Sequence, residues 1–237
     1  MKNLKLISSI TVLLFIGFIT SCSTSDPAPA STPATTLPGV SSNDYWPTAI
    51  NNVWNYSSNG TAQQPMKIIS NDIGYFQFAN FFGSSSSSGG ISITAQGSIK
   101  KTNGVYYIKY GTFQITGSYN GTMTGFEAII LKDNLAVGGT WNSDYNQTTT
   151  YTSFPTPILS STIFKGTIME KDVSLVVNGV NYSNVIQVKI EQTSSSSGTV
   201  INVENRYWFS KNVGLIKYSS TSGGSTTTTT LSSYTLF

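Results

Sequence analysis

The stretch Ile91-Ser92-Ile93-Thr94-Ala95-Gln96-Gly97-Ser98-Ile99 sets the fold class of this 237-residue chain. Apolar and polar residues alternate along it, which predicts a β-strand with one buried face. Asn103-Gly104 follows, and this pair is typical of the two-residue turn of a β-hairpin. We therefore expect the strand to pair with a return strand over residues 105–119.

The register of this predicted hairpin requires one irregularity. The turn places Gly97 opposite Tyr110, but the same register would place Ile93 opposite the polar side chain of Gln114. A β-bulge at Gly111 corrects the mismatch, because one extra residue moves the following side chains to the other face. The same bulge bends the sheet as the wall of a barrel must bend.

A second Asn-Gly pair, Asn120-Gly121, predicts another turn. The third strand would then place Ile115 opposite Phe126 and Phe113 opposite Ala128. These three strands form a meander that has one continuous apolar face.

The pattern in the rest of the chain also predicts strands separated by turns. Further strands are predicted at residues 52–57, 66–70, 73–82, 148–152, 163–177, 180–192, 200–210, 215–219 and 226–237. The serine-rich residues 84–90 are expected to form a flexible loop. No segment keeps a helical period over the length of a stable helix, so at most one short helix is expected, between residues 155 and 165. The predicted fold is all-β: a curved antiparallel meander sheet, an incomplete or flattened barrel of about 10–12 strands.

The composition argues against most common catalytic chemistry. The chain has no histidine and one cysteine, so Ser-His-Asp triads, Cys-His pairs and the usual zinc sites are absent. Its 13 basic and 10 acidic residues are scattered singly, which does not favour binding to nucleic acid. We expect no enzymatic activity, no cofactor and no metal.

The N-terminal segment has the features of a secretory signal. Lys2 and Lys5 precede an apolar run, and the residues Ile19-Thr20-Ser21-Cys22 end it. These four residues resemble the lipobox of bacterial lipoproteins, in which the cysteine becomes the diacylated first residue of the mature protein. The resemblance implies that residues 1–21 are a signal peptide and that Cys22 carries the lipid.

Residues 22–43 are rich in proline, serine and threonine and predict a lipidated, disordered tether. Aromatic residues first cluster at Tyr45-Trp46, so residues 44–237 are expected to form a single β domain. The expected location is the bacterial envelope, with the lipid in a membrane that is expected to be the outer membrane. The sequence leaves open whether the domain faces the periplasm or the medium.

Three further pieces of the sequence resemble a known group. They are Tyr45-Trp46-Pro47 with Asn52-Val53-Trp54-Asn55-Tyr56, the turn region 177–186, and residues 207–218, Tyr-Trp-Phe-Ser-Lys-Asn-Val-Gly-Leu-Ile-Lys-Tyr. Together they are similar to uncharacterised exported β-rich lipoproteins of Bacteroidota-type bacteria. The resemblance implies a curved antiparallel sheet, an incomplete barrel like that of the lipoprotein carriers LolA and LolB, and no agreed activity.

The sequence offers three further kinds of site besides the lipid anchor. The acidic residues could include a pair of carboxylates for glycoside hydrolysis, but no spacing selects one pair. The segment Asp144-Tyr145-Asn146 offers only a fragment of a calcium site. Four tryptophans and thirteen tyrosines could pack in the core, stack on sugar rings or line an apolar cavity.

The sequence favours a binding or carrier module without catalytic activity. Its concave face, which includes Ile108, would hold an apolar ligand, and the predicted ligand-binding residues are Tyr110, Phe113, Ile115 and Phe126. Two alternatives stay open: a surface protein that binds glycans or mediates adhesion, and a hydrolase that uses a carboxylate pair. The expected partners are the membrane and an apolar ligand or a glycan, and the oligomeric state is open.

Overall fold

The computed structural model describes residues 44–237, and the predicted signal peptide, Cys22 and tether lie outside this range. The described residues form one sheet of eighteen antiparallel strands, more than the sequence predicted. The strands are β1 Val53–Ser58, β2 Thr61–Ala62, β3 Met66–Asp72, β4 Tyr75–Ala79, β5 Ser85–Ser88, β6 Ile91–Thr94, β7 Gly97–Thr102, β8 Val105–Tyr110, β9 Phe113–Gly117, β10 Gly121–Met123, β11 Phe126–Lys132, β12 Thr140–Asn142, β13 Tyr145–Tyr151, β14 Phe154–Val177, β15 Val180–Ser196, β16 Thr199–Ser210, β17 Gly214–Ser222 and β18 Ser225–Thr235.

The ladder of paired strands has two ends and does not close into a barrel. Its order is β5-β6-β9-β10-β13-β14-β15-β16-β17-β18-β1-β3-β4-β7-β8-β11, with β2 on β1 and β12 on β14. Strands β6 and β7, β8 and β9, and β10 and β11 are consecutive along the chain. Within each of these three pairs the chain bends from one arm of the ladder into the other. The two arms are therefore joined, and the sheet curls back on itself as an incomplete barrel.

Side chains satisfy part of the open edge at β11. The indole Nε1 of Trp141 donates to the Ile129 carbonyl oxygen at 2.9 Å, and the Ile129 amide donates to Ser143 Oγ at 2.9 Å. Trp141 lies directly over the backbone of Gly166, where an added Cβ would come within 2.1 Å of the ring. These bonds satisfy backbone groups that a neighbouring strand would otherwise pair.

The first predicted hairpin is confirmed, including its bulge. Gly97 lies opposite Tyr110, whereas farther along Ile93 lies opposite Ile115, which is a shift of one residue. The shift occurs at residues 111 and 112, between β8 and β9, where the Gly111 amide donates to the Gln96 carbonyl oxygen. The bulge keeps both isoleucines on the buried face.

The predicted register of the next hairpin is wrong. Ile115 lies opposite Gly121 rather than Phe126, and Phe113 lies opposite Met123 rather than Ala128. Gly121 is not a turn residue but lies within β10, where an added Cβ would be 2.2 Å from the Thr150 carbonyl oxygen of β13. Close approach of a neighbouring strand, rather than a turn, requires this glycine.

Two other expectations about local structure are corrected. Residues 155–165 belong to β14, and no helix occurs within residues 44–237. None of this part of the chain could therefore cross a membrane as a helix. The serine-rich segment, expected to be a loop, contains β5, which pairs with β6 across Gly89-Gly90. Strand pairing uses backbone groups, so it does not require apolar side chains.

The barrel has two ends, which we name the Asp44 end and the far end. The Asp44 end is formed by residues 44–52, 71–75, 101–106, 131–139, 211–214 and 236–237, and the far end by residues 59–60, 89–90, 118–120, 152–153, 197–198 and 223–224. Backbone bonds join neighbouring loops of the Asp44 end, from the Asn212 amide to the Asp44 carbonyl oxygen at 2.6 Å and from the Asp133 amide to the Gly104 carbonyl oxygen at 2.8 Å. The described chain therefore begins and finishes at the same end.

The interior differs between the two ends. Near the Asp44 end, Trp46 is fully buried, and its ring centroid lies 5.7–6.2 Å from those of four phenylalanines, at positions 78, 81, 82 and 209. Toward the far end, strands β13 to β18 bury polar side chains, and Thr162 Oγ1 lies 3.0 Å from Ser194 Oγ. Hydrogen bonds of this kind offset the cost of burying hydroxyl groups.

Candidate functional site

The structure brings the four predicted ligand-binding residues together, and all four are buried. The ring centroids of Tyr110 and Phe126 are 5.0 Å apart, and those of Tyr110 and Phe113 are 5.7 Å apart. Ile115 lies on the same face and is also buried. These side chains fill the concave face by packing against one another. Ligand binding by these residues stays a prediction.

Tyr110 is held firmly in this cluster. Its hydroxyl donates to the Phe82 carbonyl oxygen at 2.5 Å, and its ring lies 5.6 Å from that of Phe81. Burial raises the pKa of the Tyr110 hydroxyl well above 10.0. Gly83 allows the chain to turn here, because it has a φ of 70° and its Cβ position would be 3.3 Å from the Tyr110 hydroxyl.

A small apolar cavity, which we name the side cavity, lies next to this cluster. It has a volume of about 50 Å³, and it lies between the loop after β2, the loop after β4 and strands β17 and β18. Its lining residues are Tyr56, Gln63, Gln64, Met66, Asn80, Phe82, Leu215, Tyr218 and Thr229. Phe82 connects the cavity to the aromatic core, because its ring stacks on that of Trp46 at 6.0 Å.

A larger and more polar cleft opens at the Asp44 end. It has a volume of about 400 Å³, and its lining includes Asp44, Lys101, Tyr106 and Asp133. Lys101 Nζ lies 2.5 Å from Asp44 Oδ2 and donates to the Trp46 carbonyl oxygen at 3.1 Å. The Tyr106 hydroxyl donates to Asp133 Oδ2 at 3.1 Å and accepts a bond from the Tyr45 amide at 3.0 Å. The contacts of this cleft fix the backbone of residues 44–46.

Burial shifts the ionisation of groups in this cleft. Desolvation raises the pKa of Asp133, and the hydrogen bond from Tyr106 and the charge of Lys171 only partly oppose this effect. Burial and the carboxylates of Asp172 and Asp133 raise the pKa of Tyr45 to about 12. The neutral forms of these groups are therefore favoured more than they would be in water.

Asp44 and Asp133 thus share a cleft, which is what the hydrolase hypothesis requires. Both carboxylates have structural partners, since Asp44 pairs with Lys101 and also accepts the Trp46 amide at 2.9 Å. In the calcium fragment, Asp144 accepts a bond from the Phe164 amide at 3.1 Å. Within residues 44–237 no cluster of three acidic side chains is arranged to hold a metal ion.

Aromatic side chains on the outer surface bear on the glycan hypothesis. Lys109 Nζ lies 4.3 Å from the centroid of the Tyr75 ring, and Lys217 Nζ lies 4.7 Å from that of Trp208. The Tyr75 hydroxyl is 2.6 Å from Glu127 Oε2. Ammonium groups already cover these ring faces, which are the surfaces that a sugar would stack on.

The sequence analysis missed the Asp44 cleft and the side cavity. Asp44, Lys101 and Asp133 are far apart in the chain. The pairing of β7, β8 and β11 brings Lys101 near Asp133, and the Asn212 amide and Lys101 hold Asp44 beside them. Gln63 and Gln64 lie in a loop without a recognisable pattern. The one available signal was the aromatic pair Phe81-Phe82. The pattern predicted these two residues as the end of a strand, but they lie after β4, which ends at Ala79.

No family model matches the chain, and no curated protein matches it. Among solved structures, a candidate lipoprotein from Parabacteroides distasonis is similar, with 10% sequence identity and a TM-score of 0.47. The similarity covers 81% of this chain and 99% of that chain. At this level the likeness does not establish a shared fold, and the similarity to LolA and LolB stays a prediction.

Proposed function

We propose that this protein is a lipid-anchored binding module of the bacterial envelope that carries out no catalysis. The lipid would be attached at Cys22, the only cysteine of the chain. The described domain begins at Asp44, so 21 residues separate it from this cysteine. This arrangement suits a protein that captures a ligand close to a membrane.

The side cavity is the observation that carries the binding proposal. Its lining is mostly apolar, and Phe82 and Tyr218 join it to the predicted ligand-binding face around Tyr110. A volume of about 50 Å³ suits the end of an acyl chain or the edge of a ring rather than a whole lipid. We therefore place the entrance for an apolar ligand here.

The absence of catalysis is supported by what the acidic residues contact. Asp44 pairs with Lys101, Glu204 with Arg206 at 2.7 Å, and Asp133 accepts a bond from Tyr106. Asp44 and Asp133 thus hold loops of the Asp44 end in place, and Glu204 forms an ion pair within its own strand. A general base would instead need to reach a substrate proton.

Lipid attachment is tested by replacing the cysteine. We expect the Cys22→Ser chain to keep its signal peptide and to gain no acyl mass, because lipid attachment and processing at this site require the cysteine, whereas the natural chain starts at residue 22 and carries a mass increase from acyl groups. A Cys22→Ser chain that is cleaved before residue 22 as the natural chain is, or a natural chain without acyl mass, would contradict the anchor.

Ligand binding is tested by blocking the side cavity. Gln64 is exposed at its rim, so Gln64→Trp should fill the opening without disturbing the core. Ala62→Trp is the matched control, because Ala62 is an exposed neighbour that does not line the cavity. We expect a fluorescent fatty acid to bind the mature Cys22→Ser chain, residues 22–237 without the signal peptide, and its Ala62→Trp variant, and to bind the Gln64→Trp variant at least tenfold more weakly. Equal binding by all three chains, or no binding by any of them, would overturn the proposal.

A further inference from the structure

Exposed apolar side chains are distributed unevenly between the two ends of the barrel. Nine large hydrophobic residues are exposed within residues 44–237, and four of these lie outside strands. These four are Ile50, Ile73, Val137 and Phe237, and all of them lie in the loops or the C-terminus of the Asp44 end. The turns of the far end are built from glycine, serine, asparagine, threonine and tyrosine.

Ile73 is the most unusual of the four. It is 92% exposed at the tip of the β3–β4 hairpin and has a φ of 47°. Ten residues other than glycine have positive φ in the described chain; seven are asparagine, and the other three are Ile73, Asp172 and Ser197. A β-branched side chain is strained in this conformation, and asparagine is not. The fold gains no burial from Ile73, so its apolar side chain is explained by contact with something outside the domain.

The charge of the Asp44 end helps to distinguish a lipid layer from a protein surface as its partner. With residues 170–172, whose Lys171 and Asp172 act on Asp133 and Tyr45, its segments contain four lysines, four aspartates and one glutamate, a net charge of −1. The apolar side chains lie on three separate loops and at the C-terminus. Separate apolar side chains on a surface of low net charge suit insertion into a fluid lipid layer better than contact with a fixed protein surface.

The connection to the predicted lipid anchor also favours contact with a lipid layer. The chain enters the domain at Asp44, which is at the end that carries the four exposed residues. The 22 residue steps from Cys22 to Asp44 can span at most about 75 Å. The anchor therefore keeps this end at high local concentration next to the bilayer, where even a weak affinity for lipid would hold it.

We propose that the Asp44 end of the barrel rests on the bilayer that holds the Cys22 lipid, with Ile73 inserted below the headgroups. This inference rests on the proposed lipid anchor and adds to it the orientation of the domain and the side chain that touches the lipid. The side cavity then lies in the wall of the barrel, close to a membrane that could supply an apolar ligand.

The test uses single thiols on the lipidated full-length protein in phosphatidylcholine vesicles. Cys22 is the only cysteine and is blocked by its acyl chain, so Ile73→Cys provides one reactive thiol. Ser197→Cys is the matched control, because the Ser197-Gly198 turn has φ values of 48° and 79° and the Ile73-Gly74 turn has 47° and 81°. We expect a polarity-sensitive dye to be shifted to the blue and quenched by nitroxide-labelled lipid at position 73, and to be unaffected at position 197.

The possible outcomes separate the two proposals. Protein that floats with the vesicles but shows equal quenching at both positions keeps the anchor and overturns the orientation. Protein that does not float overturns both. In the unlipidated mature chain, residues 22–237 with Cys22→Ser and without the signal peptide, Ile73→Asn should weaken binding to phosphatidylcholine vesicles about fivefold, and Ser197→Asn should leave it unchanged. Added phosphatidylglycerol should change neither result, and a strong increase in binding would show that charge, not Ile73, drives the contact.

Discussion

The two ends of the barrel have turns of the same backbone conformation but with different side chains. Ile73-Gly74 at the Asp44 end and Ser197-Gly198 at the far end form turns with nearly identical positive φ angles. The turn geometry favours glycine second and asparagine or serine first, which is what the far end has. The isoleucine of the Asp44 end is therefore not required by the turn. The comparison shows which residues serve the fold and which ones need another explanation.

The interiors extend this comparison. Aromatic rings around Trp46 fill the core toward the Asp44 end, whereas hydroxyl and amide groups such as those of Thr162 and Ser194 line β13 to β18 toward the far end. Close packing of large rings concentrates stability at the Asp44 end. We therefore expect substitutions in the aromatic cluster to have the largest effects.

Removal of the central ring should cost the most. We expect Trp46→Ala to lower the free energy of unfolding by about 3–5 kcal/mol, because it leaves a large cavity among four phenylalanines. Urea unfolding followed by circular dichroism measures the change. The control is Trp208→Ala, where a smaller loss of about 1–2 kcal/mol is expected, because this side chain is only partly buried against the core. Equal losses for the two tryptophans would show that stability is not concentrated in this cluster.

Alkaline pH should destabilise the protein through its buried tyrosines. Burial raises the pKa of Tyr56, Tyr110 and Tyr207 well above 10.0. The folded state therefore keeps these protons while the unfolded chain loses them, so the stabilising contribution is complete below pH 10 and is lost as the pH rises. The loss should be roughly 1 kcal/mol per tyrosine between pH 10 and pH 11, about 3 kcal/mol from these three tyrosines alone. Unfolding curves across this range, with tyrosinate absorbance as a second readout, would contradict the prediction if stability stayed constant.

The ion pair at the Asp44 cleft should make a moderate contribution. The side chain of Asp44 is only 7% exposed, so Lys101→Met leaves a buried carboxylate without its partner. We expect a loss of about 2 kcal/mol, which is less than for a fully buried pair because Lys101 is partly exposed. Lys189→Met is the control, since its partner Glu191 is half exposed and little change is expected. A double-mutant cycle with Asp44→Asn measures the coupling energy between the two side chains. A value near zero would show that the ion pair does not stabilise the fold.

The smallest expected effect is a gain of stability, not a loss. We expect Ile73→Asn to raise the free energy of unfolding by about 1 kcal/mol, because asparagine relieves the strain of a β-branched residue at positive φ. Ser197→Asn at the far end should change it by only a few tenths of a kcal/mol. Thermal and urea unfolding of both variants provide the comparison. Destabilisation by Ile73→Asn would show that the isoleucine stabilises the fold and would remove the argument for a role outside it.

Local patterns in the sequence predicted the all-β fold and much of its pairing. The hairpin from Ile91 to Ile115, its bulge near Gly111 and the strands on either side of residues 178–179 all follow from alternation and turn chemistry, which act over a few residues. The register after Asn120-Gly121 was wrong because the sequence does not show that β13 approaches Gly121 so closely. The β5 strand was missed because serine side chains carry no pairing signal.

The candidate site was less predictable than the fold. The pattern placed Tyr110, Phe113, Ile115 and Phe126 on one buried face, and the structure brings them together there. It gave no indication that their rings would fill that face or that a cavity would open beside Phe82. Packing depends on side chains from distant strands, and no local pattern records which of them meet.

The sequence by itself determined the strand-rich character of this chain, its most regular hairpin and the lipobox-like segment, because alternation, turn preference and processing motifs are all written over short distances. Only the tertiary structure decided which end of the barrel receives the chain, where the charged pair and the side cavity form, and which apolar residues remain outside. Those features arise from contacts between strands that are far apart in the chain, and their free energy depends on the packing of the whole sheet rather than on any one segment.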